Sequence, residues 1–240
     1  MRPFSSQQAV EFLEKQSASI RTERGRAWIR MRSADQKLSF PAIIVIDRSN
    51  PVAPLLRIEA MDPLGVTHAL MLLDSNRNFL SIDFDQRRYF SAQGTWYGLP
   101  LDQLPDLLLG LLALPGHHKL EQSDEQGFRV SSDHGRFRYE ITWIDPGPRM
   151  ALKKIDGEIE RKAGRKEKYI VEYSKYLDVP DFYLPQEVNL KSYSQASKPE
   201  DQPDLEVHIA WRERRWNEEI PAQVFSLSPD FLRGFSKESF

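Results

Sequence analysis

The stretch RIEAMDPLGVTHALMLL, residues 57–73, contains two segments of alternating apolar side chains joined by the tight connection Asp62-Pro63-Leu64-Gly65. Alternation with period two is typical of a half-buried β-strand, and proline and glycine in a short connection favour a tight turn. The stretch therefore predicts a β-hairpin. Its tip carries Leu64, where a turn normally presents a polar residue to water, so this leucine is a candidate contact surface.

Similar alternating segments continue along most of the chain. The segment NRNFLSIDFD, for example, places Leu80 and Ile82 on one face of a strand. Turn sequences such as Asp156-Gly157 separate the segments, as expected for successive antiparallel strands. The pattern predicts about ten to eleven strands in one curved sheet.

Two segments have helical rather than strand-like spacing. Residues 5–20 predict an amphipathic helix, because their apolar residues recur at helical intervals after a serine cap. Residues 98–116, GLPLDQLPDLLLGLLALPG, are dense in leucine and bracketed by proline and glycine, and they predict one or two short helices. A helix that is apolar almost all round has to be buried on more than one side, so this segment is expected to form a lid.

The predicted fold is mainly β (α+β), with residues 1–240 in a single domain. It is an incomplete antiparallel β-barrel with an N-terminal helix and a helical lid over an apolar cavity. Such cavities are typical of sites for hydrophobic ligands. The alternative is a barrel that its own side chains fill.

Composition and motifs favour a binding protein over an enzyme. The net charge of −2 argues against nucleic acid, and the absence of cysteine excludes disulfides and thiolate metal sites. The sequence contains no nucleophile elbow, P-loop or dinucleotide fingerprint. Turns and solvated surface explain the remaining polar groupings better than metal binding or catalysis does: His117-His118, Asp133-His134-Gly135, and Asp83 with Asp85. We expect no catalytic residue, metal or cofactor.

Three segments resemble the LolA/LolB lipoprotein-localisation superfamily, most closely its LolB-like outer-membrane branch. Residues 55–76 are similar to the strand–NPLG–strand unit of that branch, with Asp62 in place of asparagine. Residues 97–116 are similar to its helical region, with Leu108 about where a tryptophan is usual. Residues 184–229 resemble the last strands and tail of related lipoproteins.

The resemblance implies a non-enzymatic protein that binds the acyl chains of lipoproteins. LolB-like members receive lipoproteins from a periplasmic LolA-like carrier and release them into the inner leaflet of the outer membrane. The resemblance therefore implies a monomer on the periplasmic face of the outer membrane, anchored by lipid in its native form. It also implies a membrane-insertion tip at Pro63, Leu64 and Gly65. The expected cavity and lid residues are Trp28, Ile58, Leu80, Ile82, Leu104, Leu107, Leu108, Leu111, Ile141 and Trp143.

Two departures from the LolB-like pattern leave a second interpretation open. The lipid anchor of that branch is attached to a cysteine, which this sequence lacks, and the chain carries extra length near residues 145–200. The alternative is a structural or interaction lipoprotein of the envelope, or a general lipid-binding protein, with the same fold but no role in lipoprotein sorting. Leu64 could also fold back onto its own barrel instead of protruding.

Overall fold

A computed structural model describes residues 6–34, 36–112, 118–124, 127–132, 135–144, 149–160, 166–180, 182–193, 202–228 and 230–238. Two α-helices occur in these ranges, α1 at Ser6–Ser19 and α2 at Leu104–Leu109, with one 3₁₀ turn at Ala222–Phe225. The strands are β1 Thr22–Ser33, β2 Lys37–Asp47, β3 Leu55–Met61, β4 Thr67–Leu73, β5 Asn78–Asp83, β6 Arg88–Gln93, β7 Thr95–Trp96, β8 Leu99–Pro100, β9 His118–Asp124, β10 Gly127–Ser132, β11 Gly135–Ile144, β12 Arg149–Glu160, β13 Lys166–Val179, β14 Phe182–Tyr193, β15 Leu205–Trp216 and β16 Ser236–Lys237.

Fourteen of these strands form one sheet in the order β16-β6-β5-β4-β3-β2-β1-β15-β14-β13-β12-β11-β10-β9. Neighbouring strands are antiparallel except for the parallel pair β16 and β6. The strands at the two ends of this order do not pair with each other, so the sheet is not closed. The predicted mainly-β, incomplete antiparallel architecture is confirmed, and the predicted number of strands is wrong.

The strands that the sequence missed carry little apolar pattern. In β6 no side chain is fully buried, and only the two-residue strand β16 lies beyond it, while β9 is the last strand at the other end of the sheet. Edge strands face solvent along one side, so they need less apolar alternation than central strands. The predicted helical segment was also too long, because Leu99 and Pro100 belong to β8 and the described helix covers only Leu104–Leu109. Residues 113–116 of that segment lie outside the described residues.

The interpretation of Asp156-Gly157 as a turn is wrong, because both residues lie inside β12. A Cβ atom on Gly157 would lie 2.4 Å from Cζ of Tyr169 on the neighbouring strand. Glycine within a strand often marks such a close approach. Gly157 therefore makes room for a fully buried tyrosine ring.

The sheet has apolar residues on both faces. On its inner face, which α1 and α2 cover, one core cluster joins both helices to strands from β1 to β15. On the outer face of β4 and β5, Leu70, Leu72 and Ile82 form a second cluster. Segments from the C-terminal part of the chain cover it through Leu227, Leu232 and Phe235. Two buried layers on one sheet explain why the sequence of β4 is apolar on both faces.

The side chain of Arg48 connects the two helices to the sheet. The Arg48 guanidinium, just after β2, donates hydrogen bonds of 2.6 Å to the carbonyl oxygens of Ser17 and Ile20 at the end of α1. It also forms an ion pair with Asp106 of α2. Through Arg48 the end of α1 and the first turn of α2 are fixed to the same point of the sheet.

Candidate functional site

An apolar chamber of about 40 Å³ lies beneath α2 on the inner face of the sheet. Only nonpolar or aromatic residues line it: Ile29, Met31, Phe40, Ile58, Met71, Phe79, Trp96, Leu99, Leu104, Leu108, Leu190, Val207 and Ile209. Sites for small ligands usually measure 300–1,000 Å³. Side chains therefore fill most of the interior, and the chamber as it stands is too small for a fatty acyl chain.

A larger open groove of about 720 Å³ adjoins the chamber, and its size falls within the range of ligand sites. Strands β1 to β6 line it, and polar side chains at its border include Asp62, His68, Asp83, Asp85 and Arg88. Four residues line both spaces, and we call them the neck: Met31, Phe40, Met71 and Trp96. The groove and the chamber thus share one apolar boundary.

A tight hairpin and a ring stack position Trp96 in the neck. Strands β7 and β8 are joined by Tyr97 and Gly98, which both have positive φ values, 49° and 79°. Two positive φ values in a two-residue loop are typical of a type I′ hairpin. The Trp96 indole stacks on the ring of Phe79 with 5.0 Å between centroids. The hairpin and the stack leave the indole little freedom to move.

The tip of the β3–β4 hairpin presents Leu64 to solvent, with 90% of its surface exposed. The Asp62 carboxylate accepts hydrogen bonds from the backbone N–H groups of Leu64 and Val66, at 2.8 and 2.9 Å. Such Asx contacts stabilise turns. Gly65 adopts a φ of 87° with nothing within 4 Å of a Cβ position. The predicted hairpin is confirmed, and Leu64 does not fold back onto the sheet.

His68 lies between two carboxylates at the base of this hairpin. Its Nδ1 is 2.8 Å from Oδ2 of Asp85, and its Nε2 is 3.5 Å from Oδ2 of Asp62. An imidazolium can donate from both ring nitrogens at once. The hydrogen bond to Asp85, and then the one to Asp62, raise the pKa of His68. The pKa of Asp62 is lowered chiefly by the N–H of Val66.

The raised pKa of His68 predicts a pH-dependent contribution to stability. The stabilisation should be complete below about pH 6.5, where an unfolded histidine is protonated, and should be lost as pH rises through the higher folded pKa. We therefore expect the difference in melting temperature between the native chain and a His68→Asn variant to shrink from pH 6 upward. Thermal melts over a pH series measure this difference. In an Asp85→Asn variant, an NMR titration should show the pKa of His68 moving back toward its ordinary value. A difference in melting temperature that stays constant or grows with pH would contradict the raised pKa of His68.

The expected cavity and lid residues occupy three different environments. Ile58, Leu104 and Leu108 line the chamber. Leu107 and Leu111 are buried in the main core without lining the chamber, and Trp28 lines the groove. The Trp28 indole N–H donates a 2.8 Å hydrogen bond to Oγ of Ser39.

Leu80 and Ile82 are not in the chamber. Their side chains pack in the second cluster on the outer face of the sheet, although Ile82 also borders the groove. Phe79, the residue before them, points inward and lines the chamber. Ile141 is half-buried against the main core, and the side chain of Trp143 lies outside the described residues.

Sequence reasoning missed the neck. Trp96 precedes Tyr97-Gly98, and an aromatic residue followed by glycine is compatible with a two-residue hairpin loop. The prediction of one or two short helices within residues 98–116 left no place for this hairpin. Met31 and Met71 carry no special signal, because methionine is an ordinary core residue.

Two kinds of feature are absent from the described residues. Among the described residues, no group of three or more histidine, aspartate or glutamate side chains is placed to hold a metal ion. No helix in the described ranges has both the length and the apolar character needed to cross a membrane.

Solved structures of other proteins superpose on most of this chain. A domain assigned to an outer membrane lipoprotein-sorting protein from Vibrio parahaemolyticus matches with a TM-score of 0.56 and 9% identity, covering 92% of this chain and 97% of its own. A LolA superfamily protein from Nitrosomonas europaea matches with a TM-score of 0.51 and 10% identity, covering 93% and 98%. The chain shares its fold with these two proteins.

A third solved structure with a similar fold carries a different family name. A DUF1329 family protein from Desulfovibrio piger matches with a TM-score of 0.56 and 10% identity, covering 94% of this chain and 98% of its own. Neither protein-family models nor curated protein sequences gave a match. At these identities the likeness establishes a shared fold.

Proposed function

We propose that this chain binds acyl chains of lipoproteins and delivers them to a membrane without catalysing a reaction. The observation that carries the proposal is the groove of about 720 Å³ that adjoins an apolar chamber and is bordered by Pro63, beside the exposed Leu64. An acyl chain could occupy the groove and widen the chamber. The LolA-like fold, which the lipoprotein-sorting domain from Vibrio parahaemolyticus shares, supports this substrate class.

In this proposal Leu64 is the membrane contact. Complete burial of a leucine in the acyl region of a bilayer is worth about 1.5–3 kcal/mol. That energy supports transient contact and is too small for stable anchoring. The hydrogen bonds of Asp62 and the fixed φ of Pro63 stiffen the turn, so the leucine would enter the membrane with little ordering cost.

The finer role that we propose is LolB-like. The chain would accept lipoproteins from a periplasmic LolA-like carrier and release them into the inner leaflet of the outer membrane, acting as a lipid-anchored monomer on its periplasmic face. The small volume of the chamber favours a second candidate, an envelope protein that keeps the fold for structural or general lipid-binding purposes. The two candidates differ in whether the chain transfers acylated cargo.

A Leu64→Glu variant tests the proposal. We expect it to bind a fluorescent diacylated lipopeptide as the native chain does but to transfer that lipopeptide to liposomes at least tenfold more slowly. A charged side chain deep in a bilayer costs about 2.5–3.5 kcal/mol. Stopped-flow fluorescence measures the transfer rate.

Val52→Glu is the matched control. Val52 is also exposed, at 68%, but it precedes β3 whereas Leu64 follows it, so the two lie at opposite ends of that strand. We expect Val52→Glu to transfer at the native rate. Native-rate transfer by Leu64→Glu would refute the membrane role of the tip, and failure of the native chain to bind the lipopeptide would refute the acyl-binding function.

A further inference from the structure

The indole N–H of Trp96 is a buried donor without an acceptor. The residue is 8% exposed, and its Nε1 has no hydrogen-bond partner. Several other buried side-chain nitrogen and oxygen atoms in the described part of the chain also form no hydrogen bond. Among the residues that carry these atoms, Trp96 is the only one that lines the chamber or the groove. A buried polar group without a partner is destabilising. The cost would be offset if the Trp96 indole N–H donates to a bound ligand.

The Trp96 indole cannot easily turn to find a partner in the protein. The ring stacks on Phe79 and lies 6.3 Å from the ring of Phe90, between centroids. The type I′ hairpin at Tyr97-Gly98 fixes its backbone. The Trp96 side chain therefore stays in the neck, between an apolar space and a groove with polar side chains, with its N–H buried beside them.

We propose that Trp96 Nε1 donates a hydrogen bond to the carbonyl oxygen that joins an acyl chain to its head group by an ester or amide bond. This inference rests on the proposed acyl-binding function. An indole N–H can only donate, so its ligand must offer an acceptor. The carbonyl is the first acceptor that follows the hydrocarbon of an acyl chain.

This assignment also orients the ligand. With the carbonyl at Trp96, the hydrocarbon extends into the chamber and the head group lies in the groove near Asp62, His68 and Asp85. The chamber of about 40 Å³ must widen to admit the chain. Met31 and Met71 of the neck suit this, because methionine side chains are unbranched and flexible.

A Trp96→Phe variant tests the assignment, because phenylalanine keeps an aromatic ring and removes the N–H. The probes are the dodecanoyl ester and the dodecyl ether of one fluorescent alcohol, which differ in the carbonyl. We expect Trp96→Phe to bind the ester about fivefold more weakly, as for loss of one neutral hydrogen bond. Binding of the ether should stay within about twofold of native.

Trp211→Phe is the matched control, because the Trp211 indole is also buried without a partner but lines neither space. It should leave the affinities for both probes unchanged. Equal losses for ester and ether in Trp96→Phe, or no loss for either, would overturn the inference and leave the acyl-binding function standing. If neither probe binds the native chain, both proposals fail.

NMR on the native chain gives a second measurement that does not depend on the variant folding. In protein labelled with ¹⁵N-tryptophan, the ester should shift the Trp96 indole N–H resonance downfield, and the Trp211 resonance should not move. The ether should cause a much smaller shift at Trp96. A Trp96 resonance that responds equally to both probes would refute the hydrogen bond.

Discussion

Replacing Glu23 by leucine is expected to lower the free energy of unfolding by about 3–5 kcal/mol, the usual cost of removing one partner of a buried ion pair. Oε1 of Glu23 in β1 lies 2.6 Å from Nε of Arg214 in β15, and the two side chains are 0% and 2% exposed. Burial raises the pKa of Glu23 and lowers that of Arg214, with the mutual attraction only partly opposing it. Without the carboxylate, a guanidinium would remain buried without its counter-charge.

The rest of the environment of Arg214 would not compensate for this loss. Its Nη1 donates to the carbonyl oxygen of Pro185 at 2.5 Å, and its guanidinium lies 4.5 Å from the centroid of the Trp211 ring. Neither contact supplies a negative charge. Urea denaturation followed by circular dichroism measures the change in the free energy of unfolding between Glu23→Leu and the native chain.

Two further variants make this prediction specific. The double variant Glu23→Leu with Arg214→Met should recover most of the lost stability, because apolar pairs often replace buried ion pairs at little cost. Glu213→Leu is the control, because Glu213 pairs with Arg26 across the same two strands but both side chains are more than 60% exposed. Glu213→Leu should change the free energy of unfolding by no more than about 1 kcal/mol. A Glu23→Leu variant no less stable than Glu213→Leu would show that the buried charges are not coupled.

Replacing Arg48 by methionine is expected to lower the free energy of unfolding by about 3 kcal/mol near neutral pH. The change removes the hydrogen bonds to the carbonyl oxygens of Ser17 and Ile20 and leaves Asp106 without its cation. Burial already raises the pKa of Asp106, and Arg48 is the main group that opposes this.

The loss of stability in Arg48→Met should depend on pH, and its direction follows from the pKa of Asp106. Without Arg48, the folded pKa of Asp106 rises further above its unfolded value of about 3.9. Stability of the variant therefore falls as pH rises above that value. Urea denaturation at pH 4.5 and pH 7.5 should show the smaller deficit at pH 4.5, and Arg48→Met with Asp106→Leu should remove this pH dependence. An equal deficit at both values would mean that Asp106 stays charged without Arg48.

Local patterns predicted the β3–β4 hairpin well because every signal that defines it lies within residues 57–73. The turn depends on Asp62 and Gly65, and β3 alternates without a break. The exposure of Leu64 follows from that geometry. Residues whose environment is set within one hairpin are thus accessible to sequence reasoning.

The composition of the chamber was harder to predict because it depends on which face of each strand is turned inward. In β5, alternation separates Phe79 from Leu80 and Ile82, but both sets are apolar, and each contains a buried residue, Phe79 in one and Ile82 in the other. Period-two spacing identifies two faces without saying which one meets the main core. The second cluster, which the C-terminal part of the chain covers, could not be recognised from β5 alone.

The pairing of β1 with β15 has a consequence for how the protein reaches its native state. Strands β1–β6 form one meander of neighbours in sequence, and β9–β15 form another, and these two meanders meet where Ile29 pairs with Ile209. Contacts between residues so far apart in the chain form slowly, because a long loop must close first. Ile29 and Ile209 both line the chamber. The chamber is therefore complete only once β1 and β15 have paired, and a chain that lacks β15 cannot form it.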